Sequence, residues 1–285
     1  MMNETLITVG VPVRNGEKYI GCALDIIGQQ TYKNIEVIIS DNASDDETST
    51  ICKAACKQYK NFKYVRQDTT LTALENFQYT VEQANGQYFM WAAADDRRDL
   101  NYIDTLFSGI RNLDDASLCF GQLANFTDTQ KWKDAPTVSY DCATQLNENF
   151  YLQLMNSSYK KSGYAHIYGL IRTDFLKKYK WYDLEAGPDE ALIFYLARCG
   201  HFKQVETTTF YRNKPLKAKK ASDRAKNESN KSLKPFWNIR RGINAVKSGQ
   251  HAEKEFHNRT IFFTLGFLCF LIGRIKTLIA KRFGK

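Results

Sequence analysis

The stretch YFMWAAADDRRDL, residues 88 to 100, decides how the chain is read. Its first seven residues are aromatic, aliphatic or small, with no charge among them, as in a strand covered on both faces. It then stops on two adjacent carboxylates, Asp95 and Asp96. Two readings of the pair stay open. One aspartate caps a helix that begins at Arg97, or the strand delivers a metal-binding carboxylate to the rim of a sheet. Successive strand residues face opposite sides, so a cation would meet one of the two directly. Hard divalent ions take oxygen ligands, and Mg2+ is often held by one or two carboxylates together with substrate phosphates.

Upstream the same type of segment recurs, with helices between. LITVGVPVRN (6–15) is a strand ending in the turn signal Asn15-Gly16. Tyr19, Ile20, Ala23, Leu24 and Ile27 then fall at helical spacing. IEVIIS (35–40) is a second strand, followed by DNASDDET, a loop and helix-cap cluster. A helix runs through Cys52 and Cys56, and FKYVRQ (62–67) is a third strand. Leu74, Phe77, Val81 and Ala84 form another helical stripe, closed by Asn85-Gly86. This alternation predicts an α/β fold with a mostly parallel sheet and helices on both faces. Ligands of such sheets bind beyond the carboxyl ends of the strands, where Arg14, Asp41, Gln67 and Asp95 fall.

Beyond residue 100 the pattern loosens. SLCFGQLANF (117–126) reads as a strand, and YAHIYGLIRTDFLKKY (164–179) as strand, turn and helix start. PDEALIFYLARCG (188–200) is an amphipathic helix with Gly200 as its C-cap, and TTTFYRN (207–213) is a last strand. His166 and His201 read as surface or packing histidines, with an acceptor-side role as the alternative. Trp181, Tyr182, Phe194 and Tyr195 read as core.

The net charge of +9 is local: between Arg212 and Arg241 stand eleven Lys or Arg against Asp223 and Glu228. Residues 213–234 read as a basic linker and 235–248 as a short helix. IFFTLGFLCFLIG (261–273) is shorter than the roughly 20 apolar residues of a spanning helix and is followed by Arg274 and Lys276. It reads as a helix lying in a membrane interface, with the basic stretch against anionic head groups; a buried helix and a true span are the alternatives. The run KPLKAKK (214–220) could instead touch a diphosphate. No nucleic-acid-binding module accompanies the basic stretch. The seven cysteines are scattered without metal-site spacing, as in a reducing cytoplasm. No secretory signal is expected from the N-terminal residues.

The order VPVRNGEKYI, then VIISDNASDDET, then ENFQYTVEQANGQYFMWAAADD resembles the nucleotide-sugar-binding half of family 2 glycosyltransferases, inverting enzymes of the Rossmann-like GT-A fold. The similarity covers residues 5–105 closely and 106–212 loosely. It implies a GT-A domain over 1–212, with a nucleotide-binding half (1–105) and an acceptor half (106–212), before a helical, membrane-associating tail (213–285). Pro12, Val13, Arg14 and Glu17 match the first-strand motif beside the nucleotide, with Arg14 where an aromatic residue is usual. Asp41 matches the acid that recognises the base, commonly uracil; a carboxylate suits that task because it accepts the ring N–H. Asn42 and Ala43 replace the usual Gly-Ser, and Asp45, the motif's final acid, reads as a helix cap. Arg66 and Asn76 fall on the sugar-phosphate side. In AADD (93–96), Asp95 takes the metal position, supported by Asp96, and Ala93 replaces the first acid. Asp189 falls in the position of the general base, with Glu190 as the fallback; both also suit a helix N-terminus. The resemblance implies Mn2+ or Mg2+, a nucleotide-sugar donor (UDP foremost) and a glycan or lipid-linked acceptor. The setting would be surface polysaccharide or lipopolysaccharide synthesis at the inner face of the cytoplasmic membrane. Ala93 also fits a catalytically inactive nucleotide-binding scaffold in a glycan-assembly complex.

Overall fold

The computed structural model describes residues 5–127, 131–138, 165–181 and 188–214. The chain divides into two compact units, one of residues 1–140, 165–181 and 200–216, the other of 141–164, 182–199 and 217–285. Tyr182, the basic run from residue 215 onward, the expected helix over 235–248 and the apolar run 261–273 lie outside the described residues. No helix among the described residues is long and apolar enough to cross a membrane.

The first unit is built on a nine-stranded sheet. Its amino-terminal half is β1 (Ile7–Val13), α1 (Ile20–Gly28), β2 (Ile35–Asp41), α2 (Thr48–Gln58), β3 (Phe62–Arg66), α3 (Ala73–Glu82) and β4 (Tyr88–Trp91). After it come β5 (Arg97–Arg98), α4 (Tyr102–Ile110), β6 (Ala116–Phe126), β7 (Thr137–Val138), β8 (Leu170–Arg172), α5 (Thr173–Lys178) and β9 (His201–Asn213). Between β8 and β9, in the second unit, lies α6 (Pro188–Cys199). The strand order is β3-β2-β1-β4-β8-β6-β9-β5, with β7 paired to β6. Strands β3, β2, β1 and β4 are parallel, and β8 turns antiparallel between β4 and β6. β9 runs parallel to β6, and β5 antiparallel to β9.

Alternation along the strands assigns the faces. Val9, Val11 and Val13 of β1, Val37 and Ile39 of β2 and Met90 of β4 join one buried cluster with Leu24 of α1, Cys52 of α2 and Leu106 of α4. The opposite face takes α3. There Trp91 Nε1 donates to Thr80 Oγ1 at 3.2 Å, and a Cβ on Gly10 would come within 2.5 Å of the Phe89 ring and 2.6 Å of Thr80 Oγ1. Only a glycine lets the helix approach that closely.

A buried acid ties β4 into register at the edge opposite its carboxyl end. Glu36 accepts from Thr8 Oγ1 at 2.7 Å, from Asn85 N at 2.6 Å and from Asn85 Nδ2 at 3.1 Å, with Lys63 Nζ at 3.4 Å. Thr8 Oγ1 in turn accepts from Gly86 N at 2.9 Å. Asn85-Gly86 therefore fastens β4 to β1 and β2 rather than closing α3, whose C-cap is Gln83. Burial pushes Glu36 up, but the bonds from Thr8 and Asn85 and the Lys63 charge outweigh it, so its carboxyl lies below the ordinary value. A lowered pKa contributes stability above the unfolded-state value of about 4.3, lost as pH falls through the folded value. Glu36→Gln is expected to cost about 2 kcal/mol at pH 7. The gap should narrow below about pH 4; urea unfolding at the two pH values measures both.

Three elements depart from the sequence reading. Arg97 and Arg98 do not start a helix: they pair with Tyr211 and Phe210 as β5, and α4 begins only at Tyr102. The predicted strand at residue 165 is a 3-10 turn, Ala165–Tyr168, ahead of β8. β9 begins six residues before the expected strand, at His201, because its polar first half still pairs with β6 from Ala116 onward.

Candidate active site

The carboxyl ends of β1 and β2 are locked by their loops. Asn15 N donates to Ser44 Oγ at 2.9 Å, Gly16 N to Thr48 Oγ1 at 2.8 Å and Glu17 N to Asp46 Oδ2 at 3.1 Å. In return Asp45 N donates to Asn15 Oδ1 and Glu47 N to Glu17 Oε2, each at 3.1 Å. Glu17 thus serves the start of α2. The N-cap position is Glu47, without a side-chain cap bond, and it is Asp46 just before it that accepts from Thr48 N at 3.0 Å; Asp45 is exposed. Ala43 in the same loop takes φ 52°, a left-handed conformation that glycine adopts without strain. Pro12 and Val13 are buried in β1, paired with Ser40 and Asp41, and Arg14 is exposed just beyond.

Asp41 ends β2 at 0% exposure. Its Oδ1 accepts from Ser44 N at 2.9 Å, and its Oδ2 from Tyr64 Oη at 2.6 Å and Arg66 Nη1 at 3.2 Å. Burial pushes this acid up, but Ser44, Tyr64 and the Arg66 charge together hold it below the usual carboxylate range. Arg66 also donates to Ser44 O at 2.7 Å, while 44% of its side chain remains exposed. Asn76 lies one layer beneath. It accepts from Ser40 Oγ at 2.6 Å and donates to Ser40 O at 3.1 Å, crosslinking α3 to β2. Gln67 closes the group, its Nε2 donating to Ser40 Oγ at 3.0 Å. Tyr64 and Ser44 are parts of this constellation that the sequence reading missed; Tyr64 alternates with the edge residue Lys63 and reads only as a strand tyrosine.

Beside this group lies the turn that carries the two carboxylates. β2 and β4 flank β1, so their ends stand roughly 10 Å apart across two strand spacings. A Cβ on Gly16 would sit 3.5 Å from Ala94 Cβ, which puts the first loop against the acidic turn. Asp95 is half-buried there. Asp96 is 4% exposed, and its Oδ1 accepts from Asn213 N at 2.9 Å. Burial, with the neighbouring Asp95 charge, pushes Asp96 up to about 7 against the Asn213 N–H and the charges of Arg98 and Arg212. Among the described residues no three His, Cys, Asp or Glu side chains gather as a complete metal cage. Asp95 can still serve a hard cation that draws its other ligands from a diphosphate and water.

In the second unit, Asp189 is exposed in the first turn of α6, where the helix dipole favours a carboxylate. The Glu190 side chain, like that of Phe194, lies outside the described residues, while Tyr195 is buried. His166 is buried against the edge of Phe120 at 4.8 Å, and burial pushes it down to about 4. His201 pairs with Asp115 at 3.0 Å. Trp181 packs edge-on against Trp91 and Tyr179.

The family model described as Glycosyl transferase family 2 matches residues 8–180. Among curated proteins, the glycosyltransferase GlyA of Streptococcus pneumoniae serotype 4 is 31% identical over 131 residues, 46% of this chain and 18% of that protein. The chain spans less than half the length of the first curated relatives it matches. Among solved structures, S. aureus TarS 1–349 in complex with UDP-GlcNAc superposes with a TM-score of 0.60 at 16% identity, over 91% of this chain and 75% of that one. The mannosyltransferase PcManGT from Pyrobaculum calidifontis, in complex with GDP-Man and Mn2+, gives 0.53 at 14% identity, over 97% and 81%. The fold is the GT-A fold of these structures.

Proposed function

The chain belongs to glycosyl transferase family 2, and from that premise we propose that it is an inverting transferase. It moves a sugar from a nucleoside diphosphate, UDP foremost, to a glycan or lipid-linked acceptor in surface polysaccharide or lipopolysaccharide synthesis. The observation that carries the reading is the shared rim: the Asp41–Tyr64–Arg66 group and the Asp95 turn lie at the carboxyl ends of β2 and β4, the parallel strands on either side of β1.

In this reading Asp41 and Arg66 form the base-recognition corner, kept in place by Ser44 and Tyr64. Pro12, Val13 and Arg14 flank the nucleotide, Glu17 fixes the loop beside it, and Asn76 supports the floor through Ser40. Asp95, with Asp96 behind it, holds Mn2+ or Mg2+ at the diphosphate; when bound, that ion offsets the negative charge growing on the leaving group. Asp189, or Glu190 in its place, takes the proton of the acceptor hydroxyl as that oxygen attacks the anomeric carbon from the face opposite the departing diphosphate. Residues 213–285 hold the enzyme peripherally at the inner face of the cytoplasmic membrane, where lipid-linked acceptors reside.

A panel of UDP-, GDP- and dTDP-sugars scored by thermal stabilisation tests the reading. A ligand at 100 times its Kd adds about 2.7 kcal/mol of stability, a shift of several degrees. One donor class should stand out and be turned over when acceptor extract is added. No shift with any nucleotide sugar would overturn the proposal. A shift with no turnover would favour the inactive scaffold.

A further inference from the structure

Between Thr48 and Arg66 the chain carries five cations, Lys53, Lys57, Lys60, Lys63 and Arg66, and no acid. Outside residues 212–241 the chain is formally neutral, so this stretch is charge set apart and not a share of a general excess. All five are exposed on one border of the sheet, formed by α2 and the outermost strand β3. Phe62 of β3 joins Cys52 and Ala55 of α2 in the buried cluster beneath them.

Two of the five are engaged. Lys63 Nζ meets Glu36 at 3.4 Å, and Arg66 Nη1 meets Asp41 at 3.2 Å. The other three are not: among the described residues no acid lies within 4 Å of Lys53, Lys57 or Lys60. Lys53 and Lys57 stand one turn apart on the same side of α2, where like charges repel. Lys60 follows just past the C-cap, Tyr59. The negative end of the helix dipole accounts for Lys57 in the last turn, but not for Lys53 in mid-helix or for Lys60. The acids Asp45, Asp46 and Glu47 precede the other end of α2, and Asp25 of α1 accepts from Tyr59 Oη at 3.4 Å.

We infer that Lys53, Lys57 and Lys60 form a docking row for anionic lipid head groups, and that the β3 border is the side of the first unit turned to the membrane. The inference rests on the reading of the enzyme as peripheral to a membrane, and it adds to the tail a contact made by the folded domain. The chemistry of the row favours lipid. All three residues are lysines, hydrated point charges on flexible stems, which suit a fluid layer of phosphates; a fixed phosphate read in two-bond geometry would call for arginine. Nucleic acid would call for exposed rings on which bases stack. The rings beside the row, Tyr59 and Tyr64, are half-buried, one stacked on Phe62 and the other beneath the Lys53 ammonium. α2 runs back from the carboxyl ends of the strands, so docking along it leaves the rim that carries Asp41 and Asp95 open beside the membrane.

Flotation of the full chain with vesicles of equal parts phosphatidylglycerol and phosphatidylcholine, against phosphatidylcholine alone, tests this. A lysine held near an anionic surface contributes roughly fivefold to partitioning. K53Q/K57Q/K60Q is therefore expected to lower partitioning onto the anionic vesicles by about tenfold or more, with the unfolding midpoint of the parent. K53R/K57R/K60R, which keeps the charge, should partition as the parent does. K131Q/K133Q/K180Q removes the same charge from exposed positions elsewhere on the first unit and should change partitioning by less than about threefold, because charges beyond a Debye length are screened. Equal losses in the two glutamine variants, or none in the first, would overturn the row and leave the tail as the anchor. A loss seen with single-stranded RNA and not with vesicles would overturn the lipid assignment in favour of nucleic acid. A parent chain that ignores the anionic vesicles would overturn the row and the peripheral reading together, while the transferase reading, tested by its donors, would stand.

Discussion

Replacing Asp189 by Asn is expected to lower transfer by about a thousandfold or more, while nucleotide binding stays within a few-fold of the parent. General base catalysis contributes on the order of 10^2 to 10^4 in rate, and Asn keeps the shape of the side chain without its basicity. In the proposed mechanism the base acts on the acceptor hydroxyl, so the loss should fall on kcat and leave donor affinity alone. The competing role is purely electrostatic. An acid in the first turn of α6 stabilises the helix by about 0.3–1 kcal/mol, and Asn in its place would cost little more than that. Steady-state kinetics with calorimetry separates the two. A variant of full activity would remove Asp189 from the mechanism and turn attention to Glu190.

Asp95→Asn should be nearly as damaging in Mn2+, on the order of 10^3-fold in kcat, if the metal-held diphosphate of the proposed site loses its one direct carboxylate. The two outcomes differ in the absence of metal. If Asp95 acts only through the metal, nucleotide binding in EDTA should stay within a few-fold of the parent. Folding should hardly respond, since Asp95 is half-buried on a turn and substitutions at such positions shift stability by about 0.5 kcal/mol. Retained turnover of Asp95→Asn in Mn2+ would show that the metal position lies elsewhere.

The amino-terminal half was legible because physics leaves it few alternatives. Strands covered on both faces read as mostly apolar runs, and β1, β4 and, apart from Glu36, the body of β2 do. The placement of Asp41 and Asp95 at strand ends was legible for the same reason: each is the first charge after such a run. What stayed hidden depended on tertiary partners. β5 is two arginines whose only claim to be a strand is β9, a hundred residues away. The first half of β9 carries Lys203, Gln204 and Glu206, a polar pattern that pairing with β6 overrides. The α2 cap falls at Glu47 and not at Asp45, in a run of acids whose letters do not say which one meets the first free N–H. One local signal was there to be read: Thr72 and Glu75 form a capping box that fixes the start of α3.

β3 is the outermost strand of the parallel half, and an outer strand is a template on which another chain can polymerise. Lys63 and Arg66, its protruding cations, repel such a visitor, yet each also serves inward, at Glu36 and at Asp41. The guarding of that edge and the internal order at both ends of β2 therefore draw on the same two side chains. Trading Arg66 for an aliphatic residue would loosen Asp41, the acid proposed to recognise the base, and unguard the border of the sheet in a single step.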